Sequence, residues 1–199
     1  MLTLVIYPHP MLQRACRSLT KKELAGDLVG DRGLKDLVNE MLSMMVEKKG
    51  VGLAAPQVGL PIRLLVMMGP DGPLALANPR LENVSKDMVM GDEGCLSTPG
   101  LVGQVRRFRE VIASGEGFDG GGFRPVRLHL TEMFARIFQH EHDHLGGILF
   151  LKRAEKVFGR SSSWAHGIIQ SLCWTWSSSW SEIELKERYP VGLPFEAGT

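Results

Sequence analysis

Gln139–Phe150 reads QHEHDHLGGILF, and His140, Glu141, His142 and His144 stand almost side by side in it. His140 and His144 are four residues apart. On a helix such residues lie one turn apart on one face, where both imidazoles can reach one ion. Thr131–Leu145 has the spacing of a helix, and Gly146-Gly147 marks its end. Glu141 adjoins the first histidine and is placed to act as a base on a water at that ion, the H-E-x-x-H arrangement. His142 is two positions from each candidate ligand and is expected on another face, facing solvent or satisfied internally. Asp143 has two readings: a carboxylate that orients a ligand imidazole, or a solvated charge.

Two imidazoles do not complete a site. The extended metzincin pattern H-E-x-x-H-x-x-G-x-x-H is matched at Gly147 but has Phe150 where its last histidine should be. The third ligand must therefore come from elsewhere. Glu93–Ser97, EGCLS, places Cys95 in a polar, glycine-flanked stretch, whereas a structural cysteine usually sits in an apolar run. A thiolate and two imidazoles leave one tetrahedral position open, and such a donor set admits Zn²⁺ or Fe²⁺. Gly50–Gln57, GVGLAAPQ, lets backbones approach closely and ends in a neutral amide. Gln57 near a metal could hold a developing oxyanion. Taken alone, a tight turn with an exposed glutamine is the simpler reading.

The chain has 199 residues, 44% hydrophobic and 23% charged, which suits one domain with a sizeable core and appended segments. A formal net charge of +1 gives no electrostatic case for nucleic acid or an anionic membrane. Cys16, Cys95 and Cys173 are too few for a disulfide framework and suit a reducing compartment. No apolar run has the length of a membrane span, and MLTLVIYPHP has neither the basic start of a signal peptide nor the composition of a transit peptide. Leu2–Tyr7 is expected as a short strand. Leu34–Lys48 is expected as a helix whose methionines pack in a core. Ile62–Met67 and Leu74–Ala77 are expected strands about a turn at Asp71-Gly72-Pro73, and Pro79–Met90 alternates weakly. Val105–Ser114 and Phe123–Leu130 are expected to pair. Gly115–Gly120, GEGFDG, matches the dinucleotide fingerprint G-x-G-x-x-G by letter. It lies between two strand patterns without a following helix, so it is read as a hairpin turn and not a nucleotide site. The expected division is one α+β domain over 1–155 and a C-terminal extension over 156–199. That extension is rich in Ser and Trp from Ser161 onward, and is read as a partly helical tail packing on the domain or, more sharply, as a partner or membrane-surface contact.

Taken together, Gly50–Gln57, Glu93–Ser97 and Gln139–His144 resemble, in order, the three signature motifs of the peptide deformylases, and the similarity runs from Tyr7-Pro8 to about Lys152. The resemblance implies an α+β fold with mixed or antiparallel sheets packed around a central H-E-x-x-H helix. It implies removal of the formyl group from N-formylmethionyl nascent peptides, with release of formate. Cys95, His140 and His144 would bind one divalent ion, Fe²⁺ in the cell, with Zn²⁺, Ni²⁺ or Co²⁺ as substitutes. Glu141 would move the proton, and the Gln57 amide and the Leu96 backbone N–H would hold the oxyanion. The small residues Gly50 and Gly52 would fit the formyl group, with Val51 and Ile137 lining a slot for the methionine side chain. Glu93 and Arg107 would form an ion pair fixing the cysteine loop, although Arg106 is equally available. Gly100 stands where many bacterial relatives carry a glutamate. Leu19–Leu34 and the RRF…SGEGFDGGG region are more like the organellar eukaryotic branch, a mitochondrial or plastid matrix, with a bacterial cytoplasm as the alternative; transient proximity to the ribosome would follow from the substrate. Two competing readings are a zinc endopeptidase, which has no use for EGCLS or GVGLAAPQ, and a non-catalytic relative that binds nascent chains.

Overall fold

The computed structural model describes residues 2–159 of the chain. Chain contacts divide the molecule into Met1–Gly159 and Arg160–Thr199. The expected tail lies outside the described residues. The first unit nevertheless runs past 155, because Lys156–Gly159 forms a strand paired to its sheet.

Among the described residues, three α-helices, three short 3-10 helices and ten strands build this unit. The α-helices are α1 (Lys21–Ala25), α2 (Leu34–Glu47) and α3 (Glu132–Leu145). The strands are β1 (Leu28–Val29), β2 (Arg32–Gly33), β3 (Gly52–Ala54), β4 (Leu64–Gly69), β5 (Gly72–Val84), β6 (Met88–Gly94), β7 (Leu101–Phe108), β8 (Glu110–Phe118), β9 (Phe123–Thr131) and β10 (Lys156–Gly159). They form an antiparallel five-stranded sheet in the order β3-β4-β5-β8-β9, a three-stranded sheet β10-β7-β6, and a β1-β2 ribbon. The architecture is the expected α+β one.

The run IRLLVM is apolar at nearly every position because β4 is covered on both faces. Leu64 and Val66 join a cluster with Leu37, Val38, Met41 and Met45 of α2. Leu65 and Met67, pointing the other way, join Ala135, Ile137, Phe138 and Leu145 of α3. Successive strand residues face opposite sides, so one strand serves two cores. The α2 methionines are core residues, as their helical spacing implies.

Two expected strands need correction. Leu2–Tyr7 joins no ladder: Val5 N–H donates to Gln57 O at 2.7 Å and Tyr7 N–H to Ser97 O at 2.8 Å, so the segment ties two site loops together instead. Val105–Ser114 is not one strand. It breaks at Arg109, where the chain leaves the three-stranded sheet (β7) and enters the five-stranded one (β8). Arg106, Arg107, Arg109 and Glu110 interrupt the apolar pattern here, but polarity alone does not reveal a change of partner sheet. GEGFDG is a hairpin: β8 pairs with β9 through to Phe118 opposite Phe123. The turn at Asp71 is two residues long, with Gly69 opposite Gly72, so Pro73 already belongs to β5.

Gly147, with φ +71°, ends α3. A methyl group on it would stand 2.6 Å from the carbonyl carbon and oxygen of Gln13. Gly147→Ala combines this collision with a left-handed backbone and should lower stability by about 2 kcal/mol or more, read as a lower urea midpoint at unchanged slope.

Upstream of the ribbon, Thr20 and Glu23 form a reciprocal cap on α1, and Glu23 receives both ends of the Arg17 guanidinium at 2.7 and 3.0 Å. The hydrogen bond from Arg17, aided by the backbone of Thr20, lowers the Glu23 pKa from 4.5 to about 2. A depressed carboxyl stabilises the fold above its unfolded pKa and loses that contribution as pH falls through the folded one. Glu23→Gln should therefore be less stable than the parent at pH 7, by about 1 kcal/mol, with the gap closing between pH 4.5 and 2 in urea titrations.

Candidate metal centre

The site forms where α3 crosses the end of the three-stranded sheet. Gln139 fixes the crossing. Its amide nitrogen donates to Phe108 O and Ala135 O, both at 2.9 Å, and its oxygen accepts from Phe108 N–H at 3.1 Å. The next residue, His140, and His144 one turn on have ring centroids 5.0 Å apart. Cys95 follows β6 directly, and its Sγ lies 3.3 Å from His144 Nε2. One donor atom from each of Cys95, His140 and His144 lies within 4.8 Å of the others. These are the three ligands expected from sequence, brought together from separate segments.

The donor set suits a divalent ion on the structure's own terms. His140 Nδ1 donates to Glu93 Oε2 at 2.9 Å, which leaves Nε2 as the free donor atom on the ligand side. Burial holds the His144 pKa well below the histidine range, so His144 is neutral and able to ligate.

Glu93 was expected only as an ion-pair partner, and it does more. Its carboxylate is buried and takes Arg107 Nε at 2.8 Å and Nη2 at 2.9 Å. Arg106, on the other face of β7, is exposed and pairs with Glu155. The alternative left open by sequence is thus resolved toward Arg107. Burial opposes ionisation of Glu93, but the hydrogen bonds from Arg107 and His140 outweigh it and hold the carboxyl far below its ordinary value.

Asp143 fits neither expected reading. It is buried and has no hydrogen bond to an imidazole among the described residues; it accepts from Arg107 Nη1 at 2.5 Å and from Arg153 Nη2 at 2.6 Å. His142, half-buried, stacks on Phe138 and lies 3.1 Å from Arg63 Nη2, so it is internally satisfied.

Glu141 is buried, its Oε2 has no partner among the described residues, and burial pushes its pKa up to about 7. Gly52 exists for this side chain: a methyl group there would collide with Glu141 Oε1 and stand 2.7 Å from Cγ and Cδ. A methyl group on Gly50 would likewise stand 2.9 Å from Leu96 Cδ1. Val51 and Ile137 both pack in the α3-side core, Ile137 almost fully buried.

Gln57 is buried rather than an exposed turn residue. Its oxygen accepts from Ala54 N–H at 2.7 Å, and its nitrogen donates to Cys95 Sγ at 3.3 Å and Ser97 Oγ at 3.2 Å. Ser97, wholly buried, was not singled out from sequence. The available signal was its place two residues after Cys95, on a loop that must hold a thiolate.

The polypeptide deformylase family model matches residues 1–158. The chain belongs to the peptide deformylase family. Peptide deformylase 2 of Gloeobacter violaceus is 39% identical over 72% of this chain and 86% of its own length. Peptide deformylase 1B, chloroplastic/mitochondrial, of Arabidopsis thaliana is 37% identical over 76% of this chain and 54% of its own. Among solved structures, the peptide deformylase of Thermotoga maritima superposes with a TM-score of 0.69 at 32% identity, covering 78% of this chain and 99% of that one. That from Synechococcus elongatus, in complex with actinonin, gives 0.68 at 35% identity, covering 78% and 79%. As a peptide deformylase, the chain is a metal-dependent hydrolase that removes the N-terminal formyl group of nascent peptides.

Removing one partner from a buried ion pair strands the other charge. Arg107→Met leaves Glu93 and Asp143 each with one arginine fewer, and should cost about 3–5 kcal/mol in urea unfolding. Arg106→Met, one residue away but exposed, should cost less than about 1 kcal/mol.

Proposed function

We propose that Glu141 is the base and proton carrier of the deformylation, with the Gln57 amide and the Leu96 backbone N–H as the oxyanion donors. The observation that carries this reading is a buried Glu141 carboxyl with one unpartnered oxygen and a pKa near 7, on the residue next to His140. Such a group can take a proton from a water and give it back near neutral pH. Cys95, His140 and His144 would hold the divalent ion, which supplies Lewis acidity toward the formyl oxygen and a lowered pKa for the attacking water. Glu141 takes the proton of that water as the water adds to the formyl carbon. Negative charge then builds on the formyl oxygen. Gln57 would serve this step by exchanging one of its long contacts, to Cys95 Sγ at 3.3 Å or Ser97 Oγ at 3.2 Å, for the oxyanion, while Ala54 N–H holds its amide oxygen in place. Glu141 next delivers the proton to the departing α-amine, releasing formate and a free methionyl terminus.

The Glu141 carboxylate packs on Gly52 and the Leu96 side chain on Gly50, so neither position has space for a side chain. That supports selection of formyl over larger acyl groups, with Val51 and Ile137 lining the methionine slot. Fe²⁺ is the proposed ion, on the softness of the thiolate donor. Relatives in plastids, mitochondria and bacteria support either compartment, and the organelle matrix is our reading. Formylated nascent chains as substrates imply transient work near the ribosome.

Formate release from a formyl-Met tripeptide by anaerobic, Fe²⁺-loaded protein tests these roles. Glu141→Ala should abolish release while retaining metal by elemental analysis. Gln57→Ala should lower kcat about 10²–10³-fold. Full activity of Glu141→Ala would exclude it as the base.

A further inference from the structure

Arg136 has no part in the roles above. It lies on α3 four residues before His140, on the same face, and both side chains converge on one carboxylate. His140 Nδ1 holds Glu93 Oε2, and Arg136 Nη1 donates to Glu93 Oε1 at 2.9 Å. The same guanidinium reaches the backbone of both neighbouring strands. Nη2 donates to Val89 O at 2.7 Å, and Nη1 donates to Val105 O at 2.9 Å with a longer approach of 3.4 Å to Gly91 O. Val105 stands opposite Gly91 in the β6–β7 ladder. The guanidinium also lies against Gly91, where a methyl group would stand 2.8 Å from its Cζ and Nη2.

Charge neutralisation does not explain this arrangement. Arg107 already meets both oxygens of Glu93. What Arg136 adds is geometry. It joins α3, which carries His140 and His144, to β6, whose end carries Cys95, through the carboxylate that orients His140.

We propose that Arg136 is a positioning residue of the metal centre: by clamping Glu93 and the β6–β7 backbone to α3, it sets the spacing between the Cys95 sulfur and the two imidazoles. Gly91 is part of the device, since only a residue without a side chain admits the guanidinium there. The proposal rests on Cys95, His140 and His144 being the ligands. It does not depend on which acyl group is hydrolysed.

The test is metal affinity, measured on the full chain by Zn²⁺ competition with a chromophoric chelator, with the thiolate-to-metal absorption of the Co²⁺-loaded protein beside it. Urea unfolding of the metal-free protein gives the stability of each variant. Arg136→Met should weaken Zn²⁺ binding roughly 10–100-fold and shift the Co²⁺ absorption. Arg136→Lys should recover only part of this, because one ammonium cannot reach Glu93 and two strands at once. Gly91→Ala keeps every charge but displaces the guanidinium, so it should weaken binding as well; it also decides the matter if Arg136→Met does not fold. Unchanged affinity and absorption in cooperatively folding Arg136→Met or Gly91→Ala would overturn the proposal and leave Arg136 a clasp for the sheet. Cys95→Ser separates the two levels. If it abolishes binding while the Arg136 and Gly91 variants bind as tightly as the parent, only the positioning role fails. If it leaves binding intact, the ligand assignment fails and the proposal with it.

Discussion

The buried carboxylate of Glu93 is the point on which the rest of the centre depends. It belongs to β6, the strand that Cys95 follows, and it holds three cationic or hydrogen-donating side chains: Arg107 from β7, and Arg136 and His140 from α3. Desolvating a carboxylate is costly, and attraction to its partners only roughly offsets that cost. Such a cluster is therefore poorly explained as a source of net stability. It is better explained as a source of register. The partners come from two elements, β7 and α3, and each loses a good hydrogen bond if its element slides. Arg107 extends the same constraint to Asp143, and Asp143 to Arg153 beyond the helix. The helix bearing the imidazoles is thus fixed at three successive turns, by Arg136, His140 and Asp143.

The apolar architecture supplies the stiffness that this polar register needs. β4 lies between α2 and α3 and gives alternate residues to each core. That places β3 and the turn ending at Gln57 against α3, so that Gly52 receives Glu141. Glycine at 52 is a matter of space and not of backbone freedom. Any side chain there would move the carboxylate away from the imidazoles. The short N-terminal segment works in the same direction, tying the loops of Gln57 and Ser97 through its backbone.

The centre also separates two carboxylates by environment. Glu93 is surrounded by arginines and stays ionised at any ordinary pH, where it can orient an imidazole without exchanging its proton. Glu141 is equally buried but lacks such partners, and its pKa lies near 7. The same residue type thus does structural work in one place and is suited to proton transfer in another, because one is neutralised and the other merely desolvated.

Much of the site was legible in the sequence because its parts obey local rules. Helical spacing put His140 and His144 on one face, the absent histidine at Phe150 sent the search for a third ligand to Cys95, and strand and helix periods gave the α+β class. The extra work of Glu93, the burial of Asp143 and Gln57, the choice of Arg107 over Arg106 and the clamp at Arg136 were not legible. Each depends on which face of a strand meets which helix, and on contacts between residues 14 to 47 positions apart. The passage from β7 to β8 at Arg109 was hidden for the same reason, since alternation records that a strand has two faces and not which sheet it joins. Sequence by itself determined the donors and the fold class, through residue chemistry and periodicity. Only the tertiary structure decided how each donor is aimed, because aim is set by neighbours that the chain brings together from a distance.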